Sequence, residues 1–276
     1  MDWLKAGNTA VITGGANGIG YAAASHYLSA GMNVLIADNN EEALAQALDT
    51  LPGGGELAGA ICDVSDYEQV ERLRDTAIAT FGTVHCLMNN AGAGIGRPLP
   101  WEDLDTWKKQ IDVNLWGIIH GCHAFLPAML EAGSRATIIN TGSKQGITNP
   151  PGGYAYNLSK AGVINYTQSV AHALRQIENC PLSVHLLVPG FTYSNMIAKF
   201  MPEKPAGAWT TDQVIEFMIE SLARGDFYIL CPDNDTPREL DERRIQWNTD
   251  DLIMNRPALS RWHPEYESAY QEYVSS

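Results

Sequence analysis

Basic residues are scarce in this chain. Against 32 Asp and Glu stand only 18 Lys and Arg, which gives a formal charge of −14 and a pI near 4.8. Nucleic-acid binding requires clustered Lys and Arg to neutralise phosphates. No such cluster is present, so nucleic acid is excluded as a partner, and the acidic balance offers nothing to an anionic membrane. Cysteine is equally sparse. The five present (Cys62, Cys86, Cys122, Cys180 and Cys231) are far apart, odd in number and form no C-x-x-C. That excludes a disulfide framework of the secreted kind and points to a reduced, cytoplasmic chain. The opening MDWLKAGNTAVITGG has no charged segment leading into an apolar one, so no signal peptide is expected. No apolar run reaches the roughly 18 residues that a membrane span needs. Seven histidines show no metal spacing. His120 and His123 are three apart but have no cysteine or carboxylate to complete a site, so no metal is expected. There is no G-x-S-x-G, which removes the commonest serine-hydrolase signature.

What is present is alternation. TAVIT, NVLIAD, LAGAICDV, HCLMNNAG, ATIINTGS, LSVHLLVPG and DFYILC are short apolar runs that read as buried strands. Between them lie amphipathic stretches at about 18–30, 41–50, 66–80, 102–131 and 154–178, with another at 210–224. Strand–helix alternation of this length predicts an α/β chain, a doubly wound parallel sheet of about seven strands with helices on both faces. Residues 1–230 are expected to form one domain. Within it, 191–209 are apolar but interrupted by Pro202, Pro205 and Gly207, which suggests a mobile substrate lid or short helices. Residues 231–276 form a C-terminal extension with no lysine and with Trp247, Trp262, Tyr266, Tyr270 and Tyr273 set among charges. Aromatic anchors in that setting predict a tail packed on the body or on a neighbouring subunit.

TGGANGIG follows the first strand and opens the first helix. Glycines at 14, 18 and 20 permit a tight turn and let backbone approach a pyrophosphate at the positive end of the helix. The turn Gly14, Asn17, Gly18, Ile19 and Gly20 is therefore the expected dinucleotide cradle. Asp38 ends the second strand, 18 residues after Gly20. A carboxylate there accepts hydrogen bonds from adenosine ribose hydroxyls and repels a 2′-phosphate. With no Lys or Arg within 13–20, NAD is favoured over NADP.

One further pair stands out in GGYAYNLSKAGV. Tyr156 and Lys160 are four residues apart and share a helix face, whereas Tyr154 lacks that relation to the lysine. An ammonium one turn away favours the phenolate, so Tyr156 is expected to carry a lowered pKa and to exchange a proton with an alcohol or ketone. Ser143, 13 residues earlier at a strand end, is positioned to hydrogen-bond the same substrate oxygen.

TGGANGIG, NNAG at 89–92, Asn114, NTGS ending at Ser143, Tyr156-x-x-x-Lys160 and the Pro189–Gly190 pair occur in the order and spacing of the short-chain dehydrogenase/reductase family, which this chain resembles over about residues 8 to 230. The resemblance implies a Rossmann-type fold and more contacts. Asp63 would hold the adenine amino group and Val64 the ring; Asn90, Ala91 and Gly92 would line the cofactor. Lys160 would also bind the nicotinamide ribose, and Asn114 would hold a water linking that lysine to solvent. Thr192 and Ser194 fall where the family binds the carboxamide, although here Thr192 replaces an aliphatic residue and Ser194 a threonine. The resemblance also implies homo-oligomers, dimers or tetramers, paired through the helices at about 102–131 and 154–178.

Substrate is expected at the loops past the strand ends, lined by Ser143, Gln145, Tyr154, Tyr156 and Phe191, with Arg97 and Trp101 nearby. Their apolar character suggests a moderately hydrophobic, cyclic or aromatic secondary alcohol or its ketone. The competing readings are an NADP-dependent ketoreductase of the same fold, an epimerase or lyase, and a non-catalytic dinucleotide-sensing scaffold. The scaffold is disfavoured because Ser143, Tyr156 and Lys160 are all retained.

Overall fold

The computed structural model describes residues 1–198 and 200–275, so Lys199 of the expected lid and Ser276 of the tail lie outside the described residues. Seven parallel strands form one sheet: β1 (Thr9–Thr13), β2 (Asn33–Asp38), β3 (Leu57–Ile61), β4 (Val84–Asn89), β5 (Ala136–Thr141), β6 (Leu182–Val188) and β7 (Tyr228–Leu230). Their order across the sheet is β3-β2-β1-β4-β5-β6-β7. The order reverses between β1 and β4, which is where an open sheet of this kind leaves a crevice at its C-terminal edge.

The helices, in chain order, are α1 (Gly18–Ser29), α2 (Glu41–Thr50), α3 (Tyr67–Phe81), α4 (Leu104–Ile111), α5 (Gly117–Ala132), α6 (Gln145–Thr148), α7 (Tyr154–Arg175), α8 (Asn195–Ala198), α9 (Thr211–Arg224), α10 (Arg238–Ile253) and α11 (Glu267–Ser275). Starts are set by local chemistry. The Asn40 side chain accepts from Ala43 N at α2, and Asp66 accepts from Glu68 N and Gln69 N at α3. Thr210 and Gln213 form a reciprocal capping box at α9, which Gly225 ends in the left-handed region.

Two apolar layers enclose the sheet. On one face Tyr27 and Leu28 of α1, Leu44 of α2 and Met218 of α9 pack on Ile12 and Ile36. On the other, Val70 and Leu73 of α3, Phe125 and Met129 of α5 and Leu174 of α7 pack on Val11 and Leu87. The 29-residue helical run Leu104–Ala132 has the length and composition of a membrane span. Its Cys122, Phe125 and Met129 are instead buried in this layer, against β4 and β5. Within it Asp112–Trp116 adopt a π-helical turn rather than the single uninterrupted helix that periodicity predicts.

Gly121 of α5 lies directly against Asn89 of β4. A Cβ there would overlap the Asn89 carboxamide, whose Nδ2 donates to Asn140 Oδ1 at 2.9 Å. Gly121→Ala is expected to cost about 1–3 kcal/mol, the usual price of overpacking, read as a lower urea midpoint at unchanged m; unaltered stability would show that the two elements can separate freely.

The tail packs back on the body. Asn248 of α10 donates to Ile147 O of α6 at 3.1 Å. Trp247 is buried, donates to Ser260 Oγ at 2.8 Å, and carries Arg256 over its ring at 4.0 Å. Tyr270 and Tyr273 of α11 complete this aromatic cluster.

Candidate active site

The glycine turn lies at the end of β1. Gly14 and Gly18 have φ of +63° and +57°, in the left-handed region that favours glycine. A Cβ on Gly14 would come 2.8 Å from Ala91 Cα, and one on Gly20 would overlap Gly14 O. Asn90 stitches the turn to the sheet: its amide and that of Ala91 donate to Thr13 Oγ1, and its Nδ2 donates to Thr13 O and Gly14 O. At the start of α1, Asn17 is extended and its side chain caps nothing. The first amides of a 12-residue helix therefore have no side-chain acceptor of their own, over a backbone cradle that side chains would fill. Those are the features a pyrophosphate requires, so the residues present fit a dinucleotide. Ile19 packs behind the turn against the core.

Asp38 stands at the end of β2, half-buried. Its Oδ2 accepts from Ala16 N at 3.3 Å and its Oδ1 from Asn40 N at 3.1 Å, so the carboxylate is aimed at the glycine turn. It is not the cap of α2, since Asn40 has that role. Asp63 is held in place by Ser65, whose amide and hydroxyl donate to Oδ1 at 3.0 and 2.7 Å. Val64 is buried against Gly117, and its carbonyl meets His120 Nδ1 at 2.9 Å.

Ser143, Asn114, Tyr156 and Lys160 converge past the ends of β4 and β5. Lys160 is 3% exposed, donates to Thr141 O at 2.8 Å, and lies 5.9 Å from the Tyr156 ring centroid. A Cβ on Gly92 would meet Asn114 Oδ1 at 3.4 Å and Lys160 Nζ at 3.7 Å, so these groups surround one small space. Ser143 hydrogen-bonds the Tyr156 phenol and accepts Gln145 N at 3.2 Å. Asn114, on the π-helical turn, is fully buried. It accepts from Ala93 N at 2.8 Å, donates to Ala93 O at 3.0 Å and reaches Ser159 Oγ at 3.4 Å. Its side chain thus fixes the strand exit relative to α7.

The expected lowering of the Tyr156 pKa needs correction. Burial pushes the phenol up, and the Ser143 hydrogen bond opposes this only in part. Burial also brings the Lys160 ammonium down to about 8. In both groups loss of solvent is the larger cause, and the Lys160 ammonium, which donates to Thr141 O, stands off the phenol ring by 5.9 Å.

The segment after β6 closes over this region. Thr192 is buried, its hydroxyl donates to Gly190 O at 3.2 Å, and its backbone pairs with Trp209. Ser194 lies against Gly18, and Asn195 Nδ2 donates to Asn17 Oδ1 at 2.6 Å. Met196 faces Gly94 across the crevice. This segment thus docks on the glycine turn through Ser194 and Asn195. Pro189 O accepts from Lys144 N at 3.4 Å, and Gly190 is crowded by Lys144 and Asp233. Gln145 and Phe191 are exposed and Tyr154 is half-buried at the start of α7. Arg97 and Trp101 point to solvent, Trp101 at 80% exposure.

Four residues at the site are not apparent from sequence. Thr141 acts through its carbonyl, and backbone roles leave no trace in residue type. The Thr13 and Ser159 hydroxyls accept hydrogen bonds from donors far along the chain, Asn90 N and Ala91 N for the first and Asn114 Nδ2 for the second. Lys144 is next to Ser143 but reveals itself only through the tail. Among the described residues no group of His, Cys, Asp or Glu could hold a metal.

Comparison with known proteins is consistent across sequence and structure. The sequence profile of the short chain dehydrogenase family matches residues 8–205. The 3beta-hydroxysteroid dehydrogenase 2 of Eggerthella lenta is 37% identical over 195 residues, covering 70% of this chain and 74% of that protein. The 1-deoxy-11-beta-hydroxypentalenate dehydrogenase of Streptomyces exfoliatus is 31% identical over 261 residues, covering 92% of this chain and 93% of the relative. A short chain dehydrogenase/reductase from Burkholderia phymatum, solved in complex with NAD, superposes with a TM-score of 0.84 at 31% identity and covers 93% of this chain and 98% of its own.

Proposed function

The chain belongs to the short-chain dehydrogenase/reductase family, whose members act on hydroxyl and keto groups, and from that premise we propose an NAD-dependent enzyme that interconverts a moderately hydrophobic, cyclic or aromatic secondary alcohol and its ketone. The observation that carries the reading is the convergence of Ser143, Tyr156 and Lys160 beside the glycine turn.

When bound, the nicotinamide ring supplies the acceptor for the hydride that leaves the carbinol carbon. The chain's own residues do the rest. Gly14, Asn17, Gly18, Ile19 and Gly20 cradle the pyrophosphate, Asp38 holds the adenosine ribose, and Asp63 and Val64 hold the adenine. Asn90, Ala91, Gly92, Pro189, Gly190, Thr192 and Ser194 line the nicotinamide half. Ser143 orients the substrate oxygen, and the Tyr156 oxygen, in its deprotonated form, takes the alcohol's proton as the carbonyl forms. Lys160 keeps a positive charge beneath the phenol and reaches the ribose, while Asn114 holds the Ala93 turn and α7 in register around it. Gln145, Tyr154 and Phe191 bound the substrate crevice. Trp116 and Leu158, exposed beside the long helices, support pairing of copies through those helices.

The test is NADH formation from a panel of secondary alcohols that includes a 3β-hydroxysteroid, 1-indanol and cyclohexanol. Failure of every member, with no binding of NAD, overturns the reading. Asp38→Ser should raise the KM for NAD about 10- to 100-fold, as expected for losing a hydrogen bond to a charged group, and should relieve the repulsion of NADP. An unchanged NAD/NADP ratio would remove Asp38 from cofactor selection.

A further inference from the structure

The C-terminal extension begins past the family match at residue 205, yet its first part inserts two carboxylates beside the residue that follows Ser143. Lys144 Nζ lies 2.6 Å from Asp241 Oδ2 and 3.3 Å from Asp233 Oδ2, and all three side chains are nearly buried. Asp233 Oδ2 also accepts from Phe191 N at 3.0 Å. The same stretch holds the lid: Asn234 N donates to Gly207 O at 3.0 Å, and Asn234 Nδ2 donates to Ala206 O at 2.7 Å. Farther along α10, Asn248 holds Ile147 O. The tail therefore grips two connections at the C-terminal edge of the sheet, the one after β5 that bears Ser143 and the one after β6, which it holds at both Phe191 and Gly207.

We propose that Lys144, Asp233 and Asp241 form a positioning clamp through which the tail sets Ser143 and the Gly190–Thr192 turn for hydride transfer. This rests on the alcohol-dehydrogenase reading above. A surface ion pair would do little. A nearly buried one, with one cation bridging two carboxylates, fixes geometry because separating any member strands a buried charge. The packing leaves little room for another arrangement: a Cβ on Gly190 would meet Asp233 Oδ2 at 2.7 Å and Lys144 Nζ at 2.9 Å. The chemistry needs such a device because Ser143 lies on a strand-end loop. Displacement of a catalytic group by about 1 Å can cost on the order of a hundredfold in rate.

Asp241→Asn, which keeps the shape, is the test, with Asp233→Asn as a second variant should the first fold poorly. Hydrogen exchange should rise about tenfold or more in peptides covering 142–148 and 189–192, with β1 and β4 unchanged. With whichever panel alcohol is oxidised fastest, kcat should fall about 10- to 100-fold while the KM for NAD stays within about threefold. In a Ser143→Ala background the same change should cost less than it does in the unaltered chain, because part of the clamp's effect runs through that serine. Local exchange unchanged in a folded variant overturns the clamp, as does a loss of kcat that simply adds to that of Ser143→Ala. The exchange measurement needs no substrate. A panel that is not oxidised counts against the alcohol-dehydrogenase reading, and the clamp is then judged on exchange.

Discussion

Tyr156→Phe is expected to lose about two to four orders of magnitude in kcat, the range over which a positioned acid–base group contributes, while NADH binds within about threefold of the unaltered chain. The substitution removes one oxygen and leaves the ring, so the helix start and the packing around Ala155 and Asn157 should survive. Only the group that shares a hydrogen bond with Ser143 is lost. The pH dependence sharpens the test. Burial lifts the phenol above its ordinary value in the cofactor-free chain, and because a protonated phenol cannot act as a base, kcat/KM for alcohol oxidation should rise with pH through the ionisation of Tyr156 in the NAD-bound enzyme. In the phenylalanine variant that rise should flatten. A variant with near-normal turnover, or one that keeps the same pH profile, would assign the base to another residue.

Lys160→Met should carry the second large effect, a loss of activity joined to a stability difference that grows with pH. Turnover should fall about a hundredfold or more, since the positive charge beneath the proton-transfer site is gone. Stability responds through linkage. The folded-state pKa of Lys160 is depressed from 10.5 to about 8, so between those values the unfolded chain binds the proton that the folded chain has released. Keeping the ammonium buried below pH 8 costs the folded state about 3 kcal/mol, a penalty that fades as pH rises from 8 to 10.5. Methionine removes that penalty but leaves Thr141 O without its donor, at about 1–3 kcal/mol that does not vary with pH. At pH 7 the two effects nearly offset. By pH 10.5 the unaltered chain should have gained up to about 3 kcal/mol relative to the variant. Urea unfolding of both proteins across that range reads the difference, in which tyrosine and cysteine titrations common to both cancel. A pH-independent difference would mean that the lysine is not desolvated as its burial indicates.

Most of the architecture is legible in the sequence because strands and helices bury their apolar residues at fixed periods. The seven strands and the helices α1, α2, α3, α7 and α9 fall within a few residues of where the patterning puts them. Three features escape it. The π-helical turn at Asp112–Trp116 adds one residue to a turn inside an apolar run, and the periodicity hardly registers it. The helix Arg238–Ile253 has charges spread around it, no clear apolar stripe and only Asp241 and Trp247 buried, so nothing in its pattern predicts a helix. The four-residue helices α6 and α8 are too short for any period to show.

By itself the sequence determined the class of chemistry: a phenol and an ammonium one helical turn apart, a serine at a strand end and a glycine turn opening a helix are local patterns, fixed by spacing along the chain. Tertiary structure alone decided the electrostatics and the supports. Lys160 turns to Thr141 O, burial raises Tyr156, and the Lys144 ammonium meets two carboxylates about 90 and 97 positions away. Those outcomes depend on solvent exclusion and on which distant groups share a small volume, and neither quantity is a function of local spacing.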